Sequence, residues 1–145
     1  MRHAKAGDRD RWEDDDALRP LTKPGRVQAT ALVHLYRDFS IKAVYSSPFL
    51  RCLQTVEPLA RARKLNIKTS SALAEGAGLD AALELMSEHE DAVYCTHGDI
   101  VVELLDELVE KRVIDDSEGD IAKGSTWIVG FRAGKPASAR YLPPP

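Results

Sequence analysis

The sequence predicts an α/β fold: three layers, α/β/α, around a mostly parallel central sheet. Three observations carry that expectation. Short apolar runs of strand length alternate with longer segments of helical period. The two kinds of segment interleave instead of forming separate blocks, which is the pattern of a layered α/β domain. The clusters able to do chemistry follow strand-like runs, and parallel sheets gather ligands at the carboxyl ends of their strands.

The elements follow in order. Thr22 is placed to cap a helix expected from Lys23 to about Asp38, burying Val27, Ala31, Leu32, Leu35 and Tyr36. Ala43–Ser47 is a short strand, and Pro48 then stands near the start of a helix running to about Lys64. Ile67–Thr69 is a second strand, Leu79 to about His89 a helix, and Ala92–Thr96 a buried strand. Asp99 to about Lys111 carries Ile100, Val101, Leu104, Leu105 and Leu108 at helical spacing. Thr126–Phe131 and Ser138–Leu142 are late strands, with a turn at Ala133–Pro136. Arg2-His3 should follow a strand as the other clusters do, but only Met1 precedes it. An upstream strand is therefore expected outside this chain; the alternative is a first strand reduced to the residues around His3.

The 145 residues fit one domain, and 43% hydrophobic with 30% charged residues is the balance of a soluble globular protein. No apolar run approaches the ~18 residues of a membrane span, and the N-terminal residues do not resemble a secretory signal. Cys52 and Cys95 make no disulfide framework and read as small buried residues, so a cytoplasmic protein with reduced thiols is expected. A net charge of −3 argues against binding a nucleic-acid polymer. The charge is uneven. Residues 1–26 hold Arg2, Lys5, Arg9, Arg11, Arg19, Lys23 and Arg26, whereas acidic runs lie at 13–16, 84–91 and 103–120. A basic segment favours anions locally.

Two His-bearing clusters, Arg2-His3-Ala4 and Thr96-His97-Gly98, join Ser46-Ser47-Pro48-Phe49-Leu50-Arg51 and the lone Glu75 of Ala74-Glu75-Gly76. Guanidinium groups match phosphoryl oxygens bidentately, which suits Arg2 and Arg51. A neutral imidazole can attack phosphorus and split a hard transfer into two easier steps; His3, beside an arginine, is the candidate nucleophile. His97 would stabilise transition-state charge, and Glu75 could protonate the leaving oxygen. Asp99 is a second donor candidate, although its place also suits the first turn of a helix. Any one of these residues alone is more often structural than catalytic; their order at strand ends gives the set its weight. His34 and His89 are read as structural. No short His-x₃-His or Cys-x₂-Cys pair supports a zinc site, and no metal or cofactor is expected.

These residues resemble the histidine phosphatase superfamily, also called phosphoglycerate mutase-like. Its opening signature, Arg-His-Gly or Arg-His-Ala, is similar to Arg2-His3-Ala4. Its signature Ser-x-Pro-x-x-Arg-x-x-Gln-Thr is similar to Ser46 through Thr55, and its late His-Gly to His97-Gly98. Leu21-Thr22, Gly25 and Gln28-Ala29 resemble the family's first helix. The resemblance implies that His3 is the phosphorylated nucleophile, that Arg2, Arg51 and His97 form the phosphate pocket, and that Glu75 donates the proton. Within the family, the chain looks most like the SixA-like phosphohistidine phosphatases and the C-terminal domain of MutT-type Nudix hydrolases. Short connections between Arg51, Glu75 and His97 leave no room for a long lid, which favours hydrolysis over retained transfer. The expected activity is a metal-independent phosphatase on a phosphohistidine protein or a small phosphomonoester. The alternatives are a nucleotide-processing partner of a Nudix hydrolase, whose own motif is absent here, and a non-catalytic phosphate-binding module. Lys123-Gly124-Ser125 and the 8–19 loop with Trp12 are expected to shape specificity.

Overall fold

The computed structural model describes residues 1–115 and 120–145; part of the acidic 103–120 stretch lies outside them. The elements run α1 (Lys23–Leu35), β1 (Ala43–Ser46), α2 (Leu50–Arg63), β2 (Ile67–Thr69), α3 (Leu79–Ser87), β3 (Ala92–Cys95), α4 (Gly98–Glu110), β4 (Thr126–Arg132) and β5 (Lys135–Leu142). Short 3₁₀ turns at Asp16–Leu18 and Ser71–Leu73 complete them.

The strands form a parallel sheet in the order β2-β1-β3 and an antiparallel β4-β5 hairpin. Met1–His3 joins the two. It forms no strand, only a parallel bridge between Arg2 and Thr96. The Met1 amino group donates to the Tyr94 carbonyl (2.7 Å), Thr96 N–H to Met1 O (3.0 Å) and His3 N–H to Thr96 O (3.0 Å). On the other side, Arg2 N–H donates to Ser125 O (3.1 Å) and Gly124 N–H to His3 O (3.0 Å). Met1–His3 is thus wedged between two sheet edges.

The layers follow from alternation along the strands. Val44 and Cys95 pack with Cys52, Val56 and Ala60 of α2 on one face. Tyr45 packs with Ala82 of α3 and Ile100 of α4 on the other. Leu32 and Tyr36 join α1 to Leu59 of α2, and α4 packs on the hairpin through Leu104, Leu105, Leu108 and Trp127.

Three details depart from the sequence expectation. Helix α1 stops at Leu35, and Val27 is 69% exposed instead of buried. The inward stripe of α1 is Gly25, Gln28, Ala29 and Leu32. Its rotation is set by the Lys5 backbone: Lys5 N–H donates to Gln28 Oε1 (3.0 Å), and Thr22 N–H and Oγ1 both donate to Lys5 O. The hairpin strands are also longer than expected. Ala133 and Gly134 take φ of 49° and 74°, the two left-handed residues of a tight hairpin turn, so Lys135 already pairs with Arg132.

Gly25 is where α1 touches the His3 segment. A Cβ there would sit 1.9 Å from the Lys5 carbonyl oxygen and 2.9 Å from its carbonyl carbon, both backbone atoms. Gly25→Ala is expected to destabilise the fold by roughly 1–3 kcal/mol. Urea denaturation should show this as a lower midpoint at unchanged slope.

Candidate active site

Thr96-His97 at the end of β3 and Met1–His3 beside it place the two histidines together. Their rings meet edge to face with centroids 5.4 Å apart. His3 is 6% exposed and His97 is 1% exposed. The hydrogen bonds settle both tautomers. His3 Nδ1 lies 2.8 Å from the Ala4 carbonyl, which can only accept, so Nδ1 carries the proton and Nε2 keeps the lone pair. His97 Nδ1 lies 3.3 Å from Arg51 NH2, which can only donate, so His97 protonates Nε2 and donates it to Ser47 Oγ (2.8 Å). Phe49 sets its ring edge to face with His97 at 4.8 Å, and the Arg51 guanidinium stands 4.7 Å from the Phe49 centroid.

Burial, reinforced by its neighbours His97, Arg51 and Arg2, pulls the His3 pKa down from 6.5 to about 3. Burial and Arg51 pull His97 down to about 4. Both rings are neutral at pH 7. Burial also pushes the Cys52 thiol well above its usual pKa, so Cys52, 3.5 Å from His97 Nε2, sits there as a thiol. Its role is packing.

Arg2 and Arg51 both stand near enough to His3 to lower its pKa. Arg51, fully buried at the start of α2, donates to Glu75 Oε2 (2.9 Å), pairs with Asp16 Oδ2 (3.0 Å) and donates to the Asp16 carbonyl (2.8 Å). Arg2 lies against Gly98: a Cβ there would be 3.0 Å from the guanidinium carbon. Its NH1 donates to Ile121 O (2.5 Å). Lys123 is pulled below its usual pKa by burial, then by Arg2, Arg19, Arg51 and Arg9, which marks where the positive field converges. Helix α4 starts at Gly98 with His97 as N-cap and no side-chain cap bond, so its first N–H groups add to that field.

Glu75 reaches this group after the Ser71–Leu73 turn. Arg9 grips it with two hydrogen bonds from NH2 (2.8 and 2.6 Å), and Arg51 adds a third. Asp99, on the first turn of α4, accepts from Gly76 N–H through Oδ2 (2.7 Å), while its buried Oδ1 has no partner among the described residues. The fold therefore brings together Arg2, His3, Arg51, Glu75, His97 and Asp99. The sequence did not single out Asp16, which read only as part of an acidic run. Its carboxylate bonds Arg19 Nε (2.8 Å) and faces Arg51 and Arg9. Despite burial, these three arginines hold its pKa below the usual value.

Further residues of the second motif brace the segments around His3 instead of touching its ring. Thr55 Oγ1 accepts from Ala4 N–H (3.0 Å) and donates to Arg51 O (2.7 Å). Gln54 Oε1 accepts from Leu21 N–H (2.8 Å). Gln28 Nε2 donates to Lys123 O (3.1 Å), and Arg19 NH1 donates to Gly7 O (2.6 Å). Trp12 and Phe49 line a shallow outer depression with Arg9, Asp14 and Glu75, and Trp12 Nε1 donates to Asp15 O (2.9 Å).

The neutral imidazoles make stability depend on pH. An unfolded histidine takes up its proton near 6.5, whereas these two resist until about 3 and 4. Their contribution is complete above about 6.5 and is lost as pH falls toward those values. The urea midpoint is expected to drop between pH 6.5 and 5, and His3→Gln should flatten that slope.

Among the described residues, no three His, Cys, Asp or Glu side chains are arranged to hold a metal, and no helix is long and apolar enough to cross a membrane. Residues 1–80 match the family model of the histidine phosphatase superfamily (branch 1). A curated relative from Mycolicibacterium smegmatis, described as 8-oxo-(d)GTP phosphatase, is 34% identical over 152 residues. The match takes in all of this chain but 47% of the relative, so the chain spans about half the length of that protein. The fold is shared with the SixA structure from Agrobacterium tumefaciens, described as a phosphohistidine phosphatase, at TM-score 0.79 and 20% identity over 99% of this chain and 95% of that one. A SixA structure from Nakamurella multipartitia superposes at TM-score 0.69 and 23% identity, over 99% and 93%. With the family model matching more than half its length across the Arg-His and Ser-x-Pro-x-x-Arg signatures, the chain belongs to the histidine phosphatase superfamily.

Proposed function

We propose that this phosphatase domain works without a metal, through phosphorylation of His3, on a phosphohistidine protein or a small phosphomonoester. The observation that carries the reading is the His3 tautomer: a neutral ring, Nδ1–H tied to its own segment, which leaves the lone pair on Nε2, with Arg51 and Arg2 near enough to lower the ring's pKa. In the first step Nε2 attacks phosphorus, the Nε2–P bond forms, and the bond to the leaving oxygen or nitrogen breaks with its electron pair. In the second, water attacks phosphorus, the Nε2–P bond breaks, and inorganic phosphate leaves with His3 neutral again.

The phosphate pocket is built from Arg2, Arg51 and His97. Arg2 and Arg51 each keep a buried Nε–H without an acceptor among the described residues, and arriving phosphoryl oxygens suit such donors. Asp16 and Glu75 contact Arg51, so a phosphoryl group binds Arg51 by displacing or sharing those contacts. His97 accepts from Arg51; it becomes a donor to the phosphoryl oxygen once the incoming anion favours its protonation.

The acidic 14–16 segment beside the depression favours one dianionic phosphoryl group on a larger partner over a free polyphosphate. A second reading, a nucleotide-processing domain, is favoured by the curated 8-oxo-(d)GTP phosphatase relative and by the aromatic rim of Trp12 and Phe49, on which a base could stack.

Hydrolysis of p-nitrophenyl phosphate should survive EDTA in the native protein and fall to the detection limit in His3→Ala. A phosphorylated native enzyme should be acid-labile and alkali-stable. Activity unchanged in His3→Ala would refute the nucleophile and favour a binding module. The proton donor is tested separately. Imidazole leaves with little acid help, whereas an alkoxide does not. Glu75→Gln is expected to depress kcat on an alkyl phosphomonoester far more than on a phosphohistidine peptide. The same split in Asp99→Asn instead would reassign the role.

A further inference from the structure

Glu75 stands on a loop with open space around its two glycines. The loop runs from the Ser71–Leu73 turn to the start of α3. Gly76 and Gly78 take positive φ, 81° and 84°, and among the described residues nothing comes within 4 Å of where a Cβ on either would stand. Backbone with so little packing around it keeps its shape through hydrogen bonds. The loop makes one of its own, from Ala77 N–H to Ala74 O (3.1 Å).

The Glu75 carboxylate is gripped by Arg9 and Arg51, but neither grip is secure during a reaction. A phosphoryl group takes Arg51 by displacing or sharing the Glu75 contact. Arg9 is 57% exposed, and exposed ion pairs hold weakly. A carboxyl that protonates the leaving oxygen has to stay in place while its arginine changes partner.

A second set of ties comes from one stretch of chain. Thr96 Oγ1 donates to Leu73 O (2.8 Å), two residues before Glu75. Gly76 N–H, directly after Glu75, donates to Asp99 Oδ2 (2.7 Å). Leu79 N–H, the first of α3, donates to Glu103 Oε2 (2.7 Å). Thr96 precedes His97, and Asp99 and Glu103 lie one turn apart on the same side of α4. The loop is thus registered against the segment that carries His97, with no part played by Arg51.

The Glu103 bond stands out among the three. Helix α3 has Gly78 at its N-cap, with no side chain to satisfy the first amides. Glu103 reaches one of them from the neighbouring helix, and its negative charge suits that helix end. In the sequence Glu103 is only the first member of an acidic run.

We propose that Glu103 is a positioning residue: with Asp99 it latches the Gly76–Gly78 loop to α4 at both ends, and so keeps Glu75 at the phosphoryl site after substrate has taken Arg51. The inference rests on the reading of Glu75 as proton donor.

The leaving group separates a latch from general damage. p-Nitrophenolate leaves with little acid help, whereas the alkoxide of β-glycerophosphate does not. Glu103→Ala is expected to lower kcat on β-glycerophosphate roughly ten-fold or more at unchanged KM. On p-nitrophenyl phosphate kcat should stay within about two-fold, which also shows that the variant folds. Glu103→Gln keeps a carbonyl that accepts the same bond and should restore β-glycerophosphate hydrolysis. Amide exchange gives a readout independent of the donor. With saturating inorganic phosphate, the Gly76 and Leu79 amides should exchange faster in Glu103→Ala than in the native protein or Glu103→Gln. Unchanged exchange, equal loss on both substrates, undiminished β-glycerophosphate hydrolysis or no restoration by Glu103→Gln would each overturn the proposal. Glu75→Gln tests the underlying reading: if it fails to separate the two substrates, Glu75 is not the donor, and exchange alone decides whether Glu103 holds the loop.

Discussion

The rest of this structure hangs on five backbone hydrogen bonds made by three residues. Met1, Arg2 and His3 bond Tyr94 and Thr96 on one side and Gly124 and Ser125 on the other. Through them the parallel sheet and the hairpin become parts of one framework. The same bonds put His3 beside His97 and turn Arg2 onto Gly98. Backbone ladder geometry tolerates little sliding, so a ring mounted on it is held with the precision that the proposed in-line attack needs.

Electrostatics then decides what the placed residues are. The imidazoles stay neutral because they are dry and face guanidinium groups, and a neutral ring is the nucleophilic form. Asp16 and Glu75 hold the Arg51 guanidinium in place, while Arg9 and Arg19 pair with those carboxylates. The site is an alternating array of charges, organised before substrate arrives. Preorganisation of this kind avoids the reorganisation cost that water would impose.

The signature residues divide between chemistry and support. His3, Arg51 and His97 face one another, but Gln54 and Thr55 spend their side chains on the Leu21 and Ala4 amides. Gln28 and Gly25 do the same from α1, one by hydrogen bonds to Lys5 and Lys123, the other by being small enough for the Lys5 backbone to pass. A motif match therefore reports the brace as well as the active group.

Local pattern was enough to read most of the elements, because strand and helix periods depend on neighbours a few residues away. It placed α4 with all five of its buried apolar residues, and it placed β2 and β3 to within a residue. It also supplied His3, His97, Arg2, Arg51 and Glu75, because residue type and order are properties of the chain itself. Only the tertiary structure decided that Val27 faces water, since the rotation of α1 is set by Lys5, about twenty residues away. Only it turned Asp16 from one of four adjacent acids into the partner of Arg51, 35 residues away. It alone assigned the proton on each histidine, because a tautomer depends on which donor or acceptor long-range folding brings to each ring nitrogen.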